Sequence, residues 1–221
     1  MAADSAAVVR QEAGEGMEII STKDRKRISR AIARAEKKTS GEIVAVIAAT
    51  SDDYIFIPLL WAALAALTVP LILFPFTDMH VASIYAVQLG VFVVLGLLSQ
   101  WWPLRIALVP GRIKRARAHR HAVEQFLAQN LHTTKGRTGV LIFVSMAEHF
   151  AEVIADEGIY EKVPPETWDR IVEQLTAHIG RQEIANGFVA VIKGCADTLA
   201  KHFPPGSGDD NELPDHLIVL E

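Results

Sequence analysis

Two long uncharged apolar segments constrain the fold of this chain more than any other feature. They run from Tyr54 to Phe76 and from Val81 to Leu104, and neither contains Lys, Arg, Asp or Glu. Because an α-helix rises about 1.5 Å per residue, about 20 residues cross the hydrocarbon core of a bilayer. Only residues 77–80 separate the two segments. The sequence therefore predicts a transmembrane helical hairpin at residues 54–104, with both of its flanks in the same compartment.

The basic residues near the hairpin predict which compartment this is, because Lys and Arg near the ends of a span are retained on the cytoplasmic side. The connection between the spans carries Asp78 and His80, whereas residues 105–120 contain six Lys and Arg and no acidic residue. We therefore expect an integral protein of the inner (cytoplasmic) membrane, with both termini and the soluble part cytoplasmic. The residues predicted to lie at the membrane interface are Trp101, Trp102, Arg112, Lys114, Arg115 and Arg117.

Residues 112–120, here called the basic collar, are open to three interpretations. The first is a topological signal alone, the second is a contact for phospholipid headgroups, and the third is a nucleic-acid surface. No aromatic side chain interrupts the collar for base stacking, and the part of the chain after it is acidic. We therefore expect a lipid bilayer as a partner, membrane protein complexes as further candidates, and no nucleic acid.

The soluble part alternates between helical and extended patterns. Apolar residues recur at helical spacing over residues 23–38, 112–131 and in two segments after Pro164, the last with Asn186 as its predicted N-cap. Apolar β-branched runs predict strands at residues 43–47 and 140–144, with a hairpin partner after His149. Trp168 is expected in the core, and the single cysteine, Cys195, is expected to be a buried thiol.

This pattern divides the chain into five parts. They are a polar tail (1–22), a first helix and strand (23–53), the transmembrane hairpin (54–104), a juxtamembrane helix with the rest of the soluble domain (105–204), and an acidic tail (205–221) whose apolar end could add a strand.

Several of these stretches resemble the TPM-domain family. The resemblance is carried by KKTSGEIVAVI, the long stretch NLHTTKGRTGVLIFVSMAEHFAEVIADEGIYEKVP, PETWDRIVEQLTAHI and the helix from Gly187. The resemblance covers about residues 23–50 and 110–204, with the hairpin as an insertion after the first strand. It implies an α/β fold, a small TPM-like α/β/α sandwich with an inserted transmembrane helical hairpin. Some members are described as acid phosphatases and others as accessory or assembly factors for membrane complexes.

Acidic residues offer one candidate site. Asp156 and Glu157 follow a predicted strand, and the tail carboxylates of Asp210 and Glu212 would complete a set of oxygen ligands for a divalent cation such as calcium if the tail folds back. Arg137 is a candidate partner for an anionic group at the same turn. The alternative is that these are solvated turn acids, and the pair Asp52 and Asp53 is open to the same two interpretations.

No motif identifies catalytic residues. His119, His121 and His132 lie in no zinc-binding frame, and Ser145 is not in a G-x-S-x-G elbow. The function that the sequence favours is a binding or accessory role at the cytoplasmic face of a bacterial-type membrane. The alternative is a divalent-cation-dependent phosphatase-like enzyme acting at Asp156.

Overall fold

The computed structural model describes residues 19–206 and 212–220. The predicted ligand Asp210 and most of the polar N-terminal tail lie outside these ranges. The chain forms two compact units. We call residues 50–121 and 145–150 the hairpin unit, and the described residues of the remainder the α/β unit.

Four strands form the sheet, in the order β3-β2-β1-β4. Their bounds are β1 Glu42–Ala48, β2 Gly139–Ser145, β3 Phe150–Ala155 and β4 Leu217–Leu220. The amide of Glu42 donates to the carbonyl of Thr138 (3.2 Å) at the start of both β1 and β2, so these strands run in parallel. The amide of Asp156 donates to the carbonyl of Gly139 (2.9 Å), so β3 returns antiparallel.

The burial of the strands follows their sequences. Every residue of β1 and β2 is buried, as their continuous apolar runs predict for strands covered on both faces. Residues of β3 alternate between half-buried and buried, which suits an edge strand. The apolar end of the chain adds β4, which pairs in parallel with β1 from Ala45 opposite Leu217 to Ala48 opposite Leu220.

Three amphipathic helices complete the core of the α/β unit: α1 Thr22–Glu36, α7 Pro165–Ile179 and α8 Ile184–His202. Both α1 and α7 pack against α8. Trp168 and Cys195 are buried, as expected. Burial raises the pKa of the Cys195 thiol to about 12, so the thiol stays protonated and unreactive.

The predicted cap of α8 is wrong. The helix begins at Ile184, so Asn186 lies in its first turn, and the N-cap residue Glu183 makes no side-chain capping bond. The carboxylate of Glu183 lies instead 2.9 Å from Nδ1 of His178. The side chain of Asn186 forms a hydrogen bond with the same carboxylate.

The remaining helices are α2 Phe56–Phe76, α3 Val81–Leu98, α4 Trp102–Ala107, α5 Gly111–Ala128 and the short α6 Glu157–Tyr160. Helices α2 and α3 form an antiparallel hairpin and pack against each other. Ala62 and Ala66, one turn apart on α2, are buried together with Ile84. Small residues at this spacing let two helix backbones approach closely. Most large apolar side chains of the pair are nevertheless exposed.

Trp168 tests the packing of α7. Its side chain is 5% exposed, and we expect Trp168→Ala to lower the free energy of unfolding by about 3–5 kcal/mol, as for other large-to-small changes in a core. Urea unfolding monitored by circular dichroism measures this. The matched control is Tyr160→Ala, whose ring is 52% exposed. Equal midpoints for the two variants would show that α7 packs through another face.

Candidate functional site

A polar cluster in the hairpin unit follows the carboxyl ends of β1 and β2, the edge at which parallel strands present ligands in open α/β sheets. Oε1 of Glu148 accepts hydrogen bonds from Thr50 Oγ1 (3.2 Å), the Ser51 amide (2.9 Å) and the Tyr54 hydroxyl (2.8 Å). Its Oε2 accepts from Ser145 Oγ, which in turn accepts from Ser51 Oγ at 2.7 Å. We call these five residues the Glu148 cluster.

The chemistry of the Glu148 cluster favours a structural clamp over a general base. Glu148 and Tyr54 are buried, and burial together with the Glu148 carboxylate raises the pKa of Tyr54, so the phenol remains a hydrogen-bond donor. The four hydrogen bonds that the Glu148 carboxylate accepts come from the loop after β1 and from Ser145, so the carboxylate joins these two segments. The cluster therefore fixes the loop that leads into α2.

The backbone of this loop is also held by a charged pair. Tyr54 has a φ of 51°, a left-handed conformation that is uncommon for an aromatic residue. Oδ1 of Asp52 accepts a hydrogen bond from the Tyr54 amide (3.1 Å), while its Oδ2 forms an ion pair with Arg117 of α5. Asp52 is thus an ion-pair partner of Arg117 in the basic collar.

The predicted interface residues lie on the surface of the hairpin unit in different environments. Trp101 is 70% exposed and Trp102 is 42% exposed. Arg105 lies over the Trp102 ring at 5.7 Å and donates to the carbonyl of Asp53 at 3.2 Å. Of the collar residues predicted to lie at the interface, Arg112 and Arg115 are exposed, and Lys114 and Arg117 are half-buried.

The structure places Asp156 and Glu157 beside Arg137. Nε of Arg137 lies 2.9 Å from Oδ2 of Asp156, and its Nη2 lies 3.5 Å from Oε2 of Glu157. Oδ1 of Asp156 accepts from the Glu157 amide (2.8 Å) and so caps α6. Arg137 thus pairs with the carboxylates of the turn itself, and a separate anionic group beside this turn stays a prediction. The turn, however, adjoins Gly139 at the start of β2, so it lies at the amino end of the parallel strands.

Glu212, the other described member of the predicted cation site, has different partners. Its carboxylate accepts from the Lys135 amide (3.2 Å), and its own amide donates to Oε1 of Glu42 (3.1 Å). Within residues 19–206 and 212–220, no group of three or more His, Cys, Asp or Glu side chains is arranged to hold a metal ion. A divalent cation at Asp156, Glu157, Asp210 and Glu212 stays a prediction.

The α/β unit also contains an acidic cluster that the sequence patterns did not predict, formed by Glu36, Glu42, Glu212 and Asp215. Burial, and then the hydrogen bond and charge of Asp215, raise the pKa of Glu36 to about 9, although the Ile43 amide donates to Oε1 at 3.1 Å. Burial also raises the pKa of Glu42, against the bonds that it accepts from the amides of Glu212 and Leu213. A protonated Glu36 thus joins the end of α1 to the segment that leads into β4.

A signal for this cluster is present in the sequence. Glu36 follows Ile28 and Ile32 at intervals of four residues, so it lies on the apolar face of α1. A carboxylate on the buried face of a helix needs a partner or a proton. The partner Asp215 was not identifiable, because the pairing of β4 with β1 is not encoded locally.

Comparisons with known proteins agree with this fold. Residues 102–198 match the model of the TPM domain. A solved structure with a similar fold is the NMR structure of the BA42 protein from the psychrophilic bacterium Bizionia argentinensis, with a TM-score of 0.59 and 20% sequence identity, covering 93% of this chain and 98% of that chain. The search of curated proteins gave no match. The mixed α/β structure is therefore a TPM-like fold.

Gly158 tests the Arg137–Asp156 turn. A Cβ at this position would overlap the carbonyl oxygen of Gly136 and lie 2.9 Å from that of Arg137. Because backbone atoms cannot rotate away, we expect Gly158→Ala to lower the free energy of unfolding by about 1–3 kcal/mol. Chemical denaturation measures the loss. Gly206→Ala, where a Cβ meets nothing within 4 Å, is the control, and equal stability of both variants would contradict the close contact.

The raised pKa of Glu36 predicts that the stability of the fold depends on pH. Its pKa rises from 4.5 to about 9 on folding, so the folded chain holds a proton that the unfolded chain releases. The contribution of this group is fully present below pH 4.5 and falls as the pH rises towards 9. Glu36→Gln keeps an acceptor for Ile43 and a donor towards Asp215, so the fall in melting temperature over this range should become shallower. It should stay unchanged in the exposed control Glu173→Gln, and an equal slope in both variants would refute the assignment.

Proposed function

We propose that this protein is a membrane-anchored TPM-like domain with a binding or accessory role at the cytoplasmic face of a bacterial-type membrane. The observation that carries the proposal is the exposed apolar surface of α2 and α3. These helices have 21 and 18 residues, and the mean hydropathy of each is 2.3. Within the described residues they are the two helices that are long and apolar enough to cross a membrane.

Two other kinds of helix have the same length and composition, namely the core helix of a soluble protein and a signal sequence. The exposure and the position of α2 and α3 argue against both. A core helix of a soluble protein is mostly buried, whereas only 17% of the most apolar stretch of α2 and 6% of that of α3 is buried. Leu71 is 78% exposed and Phe76 is 82% exposed. A cleaved signal sequence lies near the start of a chain, whereas α2 begins at Phe56. Lipid is the solvent that suits such a surface.

The charges at the two ends of the hairpin support the cytoplasmic orientation. The connection between α2 and α3 carries Asp78 and no Lys or Arg, and the basic collar follows the hairpin on the other side. Retention of the collar in the cytoplasm places the α/β unit there as well, because both flanks of a hairpin share one compartment.

A binding role suits the site geometry better than hydrolysis. The oxygens of Glu148 already accept four hydrogen bonds, and both oxygens of Asp156 have partners. No observation specifically favours the alternative, a divalent-cation-dependent phosphatase-like activity.

Partners of the proposed role are tested by purifying the full chain from native membranes and identifying co-purifying proteins by mass spectrometry. Recovery of the chain without any specific partner would contradict an accessory role.

The topology is tested by cysteine labelling in a Cys195→Ala background. Cysteines replace two exposed residues, Asp78 between the spans and Gly180 after α7. On intact cells, a membrane-impermeant maleimide should label Asp78→Cys and not Gly180→Cys. In lysed cells both should react, which controls for accessibility. Labelling of Gly180→Cys alone on intact cells would reverse the proposed orientation.

A further inference from the structure

One face of α1 carries a run of exposed cations that the proposed anchor does not require. We call Lys23, Lys26, Arg27, Arg30, Arg34 and Lys37 the basic ridge, and all six are exposed. At 3.6 residues per turn they share the side of the helix opposite Ile28 and Ile32, which are fully buried. The ridge therefore points away from the core of the α/β unit.

Few acids offset the charge of the basic ridge. Within the described part of the chain, no ion pair joins any of the six cations to a carboxylate. The acids on α1 are Asp24, which accepts a hydrogen bond from Ser21 Oγ at 2.8 Å, and Glu36. Because the pKa of Glu36 is raised to about 9 by burial and by Asp215, this side chain is neutral near pH 7. The ridge thus presents a nearly uncompensated positive field.

An apolar hollow of about 210 Å³ lies beside the ridge, between α1 and α8. Its floor includes Ala31, Ala35 and Ile192, and its rim carries Arg34 and Lys193. Cations around an apolar floor suit a ligand that is itself anionic at one end and apolar at the other. A phospholipid has this chemistry, whereas a nucleic-acid backbone has no apolar part to place in the hollow.

We propose that the basic ridge of α1 binds the headgroups of anionic phospholipids and so holds the α/β unit against the membrane that its hairpin spans. The inference rests on the proposed membrane anchoring, which keeps the ridge close to a bilayer and raises its effective concentration there. Charge complementarity selects anionic over zwitterionic lipid. The absence of Phe, Trp, Tyr and His from α1 leaves no stacking platform for single-stranded nucleic acid.

The test uses the full chain in lipid nanodiscs made either of phosphatidylcholine or of an equal mixture of phosphatidylcholine and phosphatidylglycerol. A fluorophore on Ala33→Cys, beside the ridge, reports its distance from nitroxides attached to the lipid headgroups. We expect strong quenching in the mixed discs, weak quenching in phosphatidylcholine, and loss of quenching at high salt. Each cation removed from the ridge should weaken the surface affinity by about fivefold.

Two matched variants identify the residues responsible. Quenching should be lost when Lys23, Arg27, Arg30 and Arg34 are changed to Gln. It should be retained when four exposed cations elsewhere in the α/β unit, Lys135, Arg170, Arg181 and Lys201, are changed to Gln. Equal losses in both variants would show that total charge, and not the ridge, governs the interaction.

The other outcomes separate the two proposals. A chain that stays in neither disc contradicts the membrane anchoring and, with it, the ridge proposal. A chain that stays in both discs, with no extra quenching in the mixed lipid, contradicts the ridge proposal alone. If fluorescent duplex DNA binds in the phosphatidylcholine discs and the ridge variant abolishes this binding while headgroup quenching is absent, the partner is nucleic acid and the lipid assignment is overturned.

Discussion

The apolar surface of α2 and α3 that no part of the described chain covers is the constraint on which the rest of this account depends. Exposing apolar surface to water costs about 25 cal/mol per Å², and side chains such as Leu71 and Phe76 leave most of their area uncovered. The contact between α2 and α3 buries only a few residues, among them Ala62, Ala66 and Ile84. In the proposed anchoring, a bilayer removes the cost for the remainder and the basic collar sets the orientation.

The insertion of such a hairpin requires that the strand before it and the strand after it remain paired. The parallel strands β1 and β2 are buried along their whole length, so they keep their place in the sheet. The Glu148 cluster ties the loop after β1 to the turn after β2, and Asp52 adds the ion pair with Arg117. These polar bonds hold a loop whose backbone includes the left-handed Tyr54. These contacts thus hold the loop that leads from β1 into α2 in one conformation.

The features predictable from the sequence are those set by local periodicity. The apolar stripes predicted α1, α7 and the burial of Trp168 and Cys195, and the β-branched runs predicted β1 and β2. The two long apolar helices α2 and α3 were predictable because length and composition suffice. By contrast, the partners of Glu148 and of Glu36 depend on contacts between segments far apart in the chain. The N-cap of α8 was predicted wrongly because Glu183 pairs with His178 and the helix starts before Asn186.

Alkaline carbonate extraction tests the central claim most directly, because it removes peripheral proteins from membranes and leaves those whose apolar segments are solvated by lipid. Membranes from cells that produce the full chain would be washed with carbonate and floated on a density gradient. The account predicts that the protein stays with the membrane pellet and floats with the lipid. Release of the folded protein into the supernatant would show that the apolar surface of α2 and α3 is covered by something other than the bilayer.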